Sequence, residues 1–317
     1  MGPVLLHDDV VAEYRDFATY AAGDSPCFEA WASAVAEDPE VLAWLTTLQP
    51  RERQPNLVLA AARWHGAPAP GPYDGLRRVL LEQEPEVRAT VRSRATQTNE
   101  VGRLASLVPA MSLVEGPLAL VEVGASAGLC LYPDRYDYAW PPLGGLRGSG
   151  GPVLTAVASG PLPVPTAHPE VAWRSGVDLH PLDVADADAM AWLENLVWPE
   201  QDERRTRLRA AIEVARREPP TLRRGDLVDH LPALLEEAAP HGTPIVDIKG
   251  HRTYPTDGSL SLTTVSVTSA GQQLGLFEAF QAWFSPSDAV VPRDAIYQPE
   301  QTVQEAEQES ADQMVES

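Results

Sequence analysis

The sequence predicts an α/β protein in which a helical N-terminal region precedes a doubly wound, mostly parallel sheet that is truncated or irregular at its C-terminal end. Three observations predict it. Apolar residues recur at helical spacing through residues 8–115. A short run of strand formers, Leu118-Ala119-Leu120-Val121-Glu122-Val123, then meets a glycine-bearing turn. After that turn, strand-like and helix-like segments alternate as far as Ile248.

Val10, Val11, Tyr14, Phe17, Ala18 and Ala21 mark the first helix. Asp24-Ser25-Pro26 ends it and starts a second, and Asp38-Pro39 opens a third. Gln54-Pro55-Asn56 precedes an apolar helix from Leu57 to Trp64, and Pro68 to Pro72 form a loop. A long helix is expected from about Pro85 to Leu113. Residues 141–169, rich in Pro and Gly, read as an excursion with little regular structure. Strands are expected at Val171–Val177, Leu222–Asp226 and Pro244–Ile248. Helices are expected at 186–197, 200–217 and Leu231–Ala239. Beyond Lys249 the periodicity fades into a Ser/Thr-rich stretch, followed by an aromatic segment, Leu276–Phe284, that could pack. The expected organisation is a helical region over 1–115, an α/β region over 116–290 with an insertion at about 132–170, and an acidic, disordered tail over 291–317.

The chain has 317 residues and 44% apolar content, enough for a real core. No apolar run reaches membrane-spanning length, and the N-terminal segment lacks the pattern of a secretory signal, so no membrane association is expected. Cys27 and Cys130 are the only cysteines, which argues for a reducing, cytoplasmic location. A net charge of −21 repels a phosphate backbone, so no nucleic-acid partner is expected. The arginines between Arg204 and Arg224 alternate with acids and read as a solvated helix face. His180 beside Asp178 and Asp183 lacks a second histidine at ligand spacing, so no metal is expected.

Chemistry is expected at Glu122-Val123-Gly124-Ala125-Ser126-Ala127-Gly128. Glycines let a backbone approach a ligand, and a following helix would offer free N–H groups. Glu122 inside a buried strand needs a reason, such as a ligand or backbone amides. The polar run Arg94, Gln97, Thr98, Asn99, Glu100 and Arg103 is expected on the long helix. It reads either as substrate or ligand contacts closing over the glycine turn, or as a network fixing the helical part to the sheet.

The order acid, apolar, Gly, x, Ser, x, Gly resembles the first motif of Rossmann-fold S-adenosylmethionine-dependent methyltransferases. Gly176-Val177-Asp178-Leu179-His180-Pro181 resembles their second strand, and Arg224-Gly225-Asp226-Leu227 a later turn. The resemblance implies a Rossmann-like sheet with S-adenosylmethionine as cofactor. It would be held by Glu122, Gly124, Ala125, Ser126 and Gly128, with Asp178 on the ribose hydroxyls and Asp226 on the adenine amino group. The gap of 54 residues from Gly124 to Asp178 exceeds the usual spacing of about 20 and requires an insertion. Methyl transfer needs mainly alignment, so no catalytic residue is named. A small-molecule ligand is the expected partner, and the sequence sets no oligomeric state.

Gly124-Ala125-Ser126-Ala127-Gly128 is also G-x-S-x-G, the elbow of serine hydrolases, with His230, His241 and His251 available as bases. A third reading is a ligand-binding or interaction module without catalysis.

From about Tyr14 to Pro244 the chain also resembles the uncharacterised bacterial family called domain of unknown function 2332. The resemblance rests on Arg53-Gln54-Pro55-Asn56, Thr96 to Arg103, Val121 to Leu131, Asp134-Arg135-Tyr136, Gly176 to Val184, Leu196 to Pro199 and Arg224-Gly225-Asp226. It implies a helical part plus a Rossmann-like part and no established activity. The family tends to carry Asn where this chain has Cys130 and His180. After about Asp247 both the likeness and the periodicity stop, as in a divergent or frame-shifted segment; Asp247 and His251 follow the strand where methyltransferases often place substrate contacts.

Overall fold

The structure is a computed structural model, and it describes residues 9–97, 99–158, 162–254, 258–269 and 272–274. The aromatic segment at 276–284 and the acidic tail therefore lie outside the described residues.

Seven helices build the N-terminal layer: α1 (Val10–Ala21), α2 (Pro26–Val35), α3 (Pro39–Leu45), α4 (Pro55–Trp64), α5 (Tyr73–Glu82), α6 (Glu84–Ser93) and α7 (Leu104–Met111). Their starts follow from local chemistry. Asp9, Ser25 and Asp38 each cap a helix by accepting a backbone N–H of its first turn. Pro26, Pro39 and Pro55 occupy first positions, where the missing N–H costs nothing. Tyr14, Phe28, Trp31, Leu45 and Leu59 are fully buried between these helices. Each such side chain contributes about 1.5–3 kcal/mol by leaving water.

The α/β part consists of β1 (Leu118–Val123), β2 (Asp137–Trp140), β3 (Gly144–Leu146), β4 (Val153–Thr155), β5 (Val171–Asp178), α8 (Ala187–Asn195), α9 (Asp202–Arg217), β6 (Thr221–Arg224), α10 (Leu227–Ala238), β7 (Thr243–Tyr254), β8 (Gly258–Ser269) and β9 (Gln272–Leu274). The main sheet has the order β6-β5-β1-β7-β8-β9. Its first four strands are parallel, and β8 and β9 run antiparallel. The chain leaves β1 for β5 and β6 on one side and returns to β7 on the other. That reversal makes a topological switch point between β1 and β7, where doubly wound sheets place ligands.

Strand alternation sorts β1 onto two faces. Leu118 and Leu120, with Ile245 of β7, join the large core shared with the N-terminal helices, α8 and α9. Ala119, Val121 and Val123 face Leu234 and Ala238 of α10. Every residue of β1 is buried, as expected of a parallel strand covered on both sides.

The structure corrects five sequence expectations. The helix expected over 85–113 is two helices joined by extended chain. Arg94 leaves α6 in an extended conformation, and Glu100 uses its side chain to cap a 3-10 turn at Val101–Arg103. Polar side chains that find partners off the helix compete with helical backbone. The insertion is more ordered than expected. Tyr136, Tyr138 and Trp140 are fully buried, and β2 pairs with β3 and β4 in a small sheet. No α-helix follows the glycine turn. Leu129–Leu131 and Pro133–Arg135 are 3-10 turns, and Pro133 removes a donor that a helix would need. The helix expected from Leu231 starts at Leu227, because Asp226 caps it through Val228 N. The Ser/Thr-rich stretch beyond Lys249 supplies β8, so the sheet continues past β7 but leaves the parallel pattern.

Candidate functional site

The carboxyl ends of β1, β5 and β6 lie side by side. The turn Gly124–Gly128 follows β1, Asp178 ends β5, and Asp226 follows β6. Gly124 and Gly128 have φ of 71° and 68°, the left-handed region where a side chain is strained. Ser126 has φ 54° and is the one non-glycine among the described residues with positive φ. Such strain persists only when neighbours hold it in place.

Its neighbours do so through hydrogen bonds. Ser126 N donates to Asp178 Oδ2 at 2.8 Å, and Leu182 N donates to the Ser126 carbonyl at 2.9 Å. Ser126 Oγ donates to Gln97 Oε1 at 2.7 Å and accepts from Asn99 Nδ2 at 2.6 Å. Ala127 N donates to Asn99 Oδ1 at 3.3 Å. Gly124 N and Ala125 N both donate to the Val177 carbonyl, and Gly128 N donates to the Ala125 carbonyl. Each of the five N–H groups of the turn thus has a partner inside the protein. The free amides expected of a phosphate cradle are not offered here.

Gly128 is also required for packing. A Cβ there would stand 2.9 Å from Pro220 Cγ and 3.2 Å from Leu222 Cδ2. Its missing side chain makes room for protein, where the sequence suggested room for a ligand.

The polar run forms an extended strap across the loops after β1 and β5. Arg94 packs its guanidinium over the rings of Trp64 and Trp192 and pairs with Asp188 at 2.7 Å. Gln97 Nε2 donates to the His180 carbonyl at 2.9 Å. Glu100 accepts from Gly102 N and pairs with Arg204 and Arg207 of α9. Thr98 lies outside the described residues. The strap therefore contacts the turn directly through Gln97 and Asn99, by crossing it as extended chain and not as a helix face.

Asp178 is half-buried, and its two oxygens accept Ser126 N and His180 N. Each carboxylate oxygen retains a second lone pair for a ligand hydroxyl. Asp226 is exposed and caps α10. Leu179 is 45% exposed and Val228 is 74% exposed, so an open apolar rim flanks the two acids.

Glu122 lies beneath the turn, 1% exposed, where Arg103 Nη2 donates to its Oε1 at 2.9 Å. The buried acid is thus explained by an arginine of the segment that leads into α7. Asp247 of β7 is the Cα partner of Glu122, and Arg103 Nε stands 3.6 Å from its Oδ2. Burial pushes both carboxyls above their usual range, against the pull of Arg103. Burial likewise pushes the Cys130 thiol up, although Arg103 Nη2 lies 2.9 Å from its sulfur. Sequence reasoning gave Asp247 little weight. The available signal was that Leu118–Val123 and Pro244–Ile248 each carry one acid near the end of an apolar strand.

A serine hydrolase needs a base on Ser126. Among the described residues no imidazole reaches its Oγ, which is held by two amide side chains. A separate cleft of about 380 Å³ lies at the amino end of β1, lined by Leu113, Leu118, Val164, His168 and Glu170 among others. It opens at the opposite end of the sheet from the switch point, so the carboxyl-end loops are the better site.

The model of a family described as "Uncharacterized protein conserved in bacteria (DUF2332)" matches residues 11–251. The chain belongs to that family. The match ends close to where the sequence loses its likeness to the family. No curated protein and no solved structure matches the chain. Among the described residues no helix is long and apolar enough to cross a membrane.

Proposed function

We propose that the protein binds S-adenosylmethionine at the carboxyl ends of β1, β5 and β6 and acts as a methyltransferase-like protein. One observation carries this reading: the parallel order β6-β5-β1-β7 sets the strained turn, Asp178 and Asp226 in a row beside the switch point. Asp178 would hold the ribose diol with its remaining lone pairs. The rim of Leu179, Leu227 and Val228 suits a flat base, with Asp226 beside it for an exocyclic amine. The satisfied amides of the turn favour a ligand without phosphates over a nucleotide. When bound, the cofactor would supply an activated methyl group. The chain would supply orientation and a position for the charge.

Calorimetric titration with S-adenosylmethionine and S-adenosylhomocysteine tests the reading. Saturable binding, lost in Gly124→Asp and weakened in Val228→Glu, is the expected result. Val228 is well exposed, so the second variant keeps the fold. A folded wild-type protein that binds neither compound would remove the reading.

A further inference from the structure

Beneath the turn one guanidinium faces two carboxylates. Glu122 and Asp247 are Cα partners on adjacent parallel strands, so alternation puts both on the face toward the N-terminal helices. Arg103 closes the cluster from that side, bonding Glu122 at 2.9 Å and standing 3.6 Å from Asp247. Asp247 is 7% exposed, and neither of its carboxylate oxygens accepts a hydrogen bond among the described residues. The other described titratable groups around the cluster are the Cys130 thiol, beside Arg103, the buried phenols of Tyr132 and Tyr136, and Asp178, whose negative field reaches Glu122. No second cation stands among them. A buried carboxylate with no hydrogen bond and half a share of one arginine is expensive, so the cluster lacks one positive charge.

We infer that Asp247 holds a proton in the ligand-free protein and exchanges it for the sulfonium centre of the ligand. This makes Asp247 the charge-binding subsite, and it rests on the S-adenosylmethionine reading above. Asp247 lies in register with the residue two before Gly124, so it stands at the β1–β7 junction beside the turn on which the ligand is proposed to sit. A ligand cation at this junction supplies the charge the cluster lacks, and in the ligand proposed above the cation that S-adenosylhomocysteine does not share is the sulfonium. On binding, the O–H bond of Asp247 breaks, the proton passes to the buffer, and the carboxylate left behind faces the sulfonium.

The test is calorimetry of the full chain with S-adenosylmethionine at neutral pH, in two buffers of unlike ionisation enthalpy. S-adenosylhomocysteine, which lacks the sulfonium, is the control, and Asp247→Asn the variant. The expected result is about one proton released per S-adenosylmethionine and none with S-adenosylhomocysteine. Asp247→Asn abolishes the release and weakens S-adenosylmethionine roughly tenfold, with the control compound unaffected. Binding without proton release, or equal release with both compounds, overturns the inference. If neither compound binds, the functional reading fails first, and infrared spectra of the ligand-free protein then decide the proton. A protonated carboxyl band that disappears in Asp247→Asn sustains that half; its absence from wild type overturns it.

Discussion

Asn99 grips the strained turn at two consecutive residues: its Nδ2 donates to Ser126 Oγ at 2.6 Å, and its Oδ1 accepts from Ala127 N at 3.3 Å. Asn99 is buried, so both partners would be left without water if it were cut back. Asn99→Ala is expected to cost roughly 2–3 kcal/mol in urea unfolding. A variant as stable as wild type would show that the strap is not what holds Ser126 in its left-handed conformation.

Gly128→Ala should be harsher than a surface glycine substitution. It adds a Cβ at φ 68° and 2.9 Å from Pro220 Cγ. A loss of about 2–4 kcal/mol is expected from the two effects together. Adding Pro220→Ala removes the closest contact and should recover part of the packing cost, leaving the backbone part. Thermal melts of both variants check this, and no recovery would show that the Pro220 Cγ contact is not what makes the substitution costly.

Arg103→Met removes the guanidinium from the buried acids Glu122 and Asp247. The expected loss at neutral pH is about 3–5 kcal/mol, the range for breaking a buried pair. Glu122 and Asp247 already have raised values, and the variant raises them further. For acids with raised folded values, the folded state holds the extra proton, so stability falls as pH rises above the unfolded values. Acidification toward those values should therefore restore part of the loss. Chemical denaturation at two pH values tests it, and a loss independent of pH would argue against uncompensated charge.

Glu13 gives a second pH signature, far from the site. Burial, opposed by the charge of and a hydrogen bond from Arg53, raises its carboxyl from 4.5 to about 7. Here too the folded form holds the proton. The contribution of Glu13 to stability is greatest below about 4.5, falls as pH rises to about 7, and is level beyond. The contribution is roughly 3 kcal/mol at most. Glu13→Gln should remove that part of the slope between those values, as melting temperatures across the range would show. An unchanged slope would assign it to other groups.

The sequence by itself determined the α/β class, the helical layer with its capped starts, the strand before the glycine turn and the parallel strands after it. Those features follow from short-range rules, such as Asp9, Ser25 and Asp38 capping helices or the apolar run at Leu118–Val123, and neighbours a few residues apart suffice to state them. Only the tertiary structure decided what the polar residues do. Gln97 and Asn99 left the expected helix because their partners lie on Ser126, Ala127 and the loop after β5, about 30 to 80 residues away. Gly128 answers to Pro220, which no local window contains. Glu122, Arg103 and Asp247 became one cluster because parallel register set two acids side by side and the turn before α7 brought the arginine across them. Local propensity depends on a few neighbouring residues, whereas the partner of a buried charge depends on which strands lie next to each other.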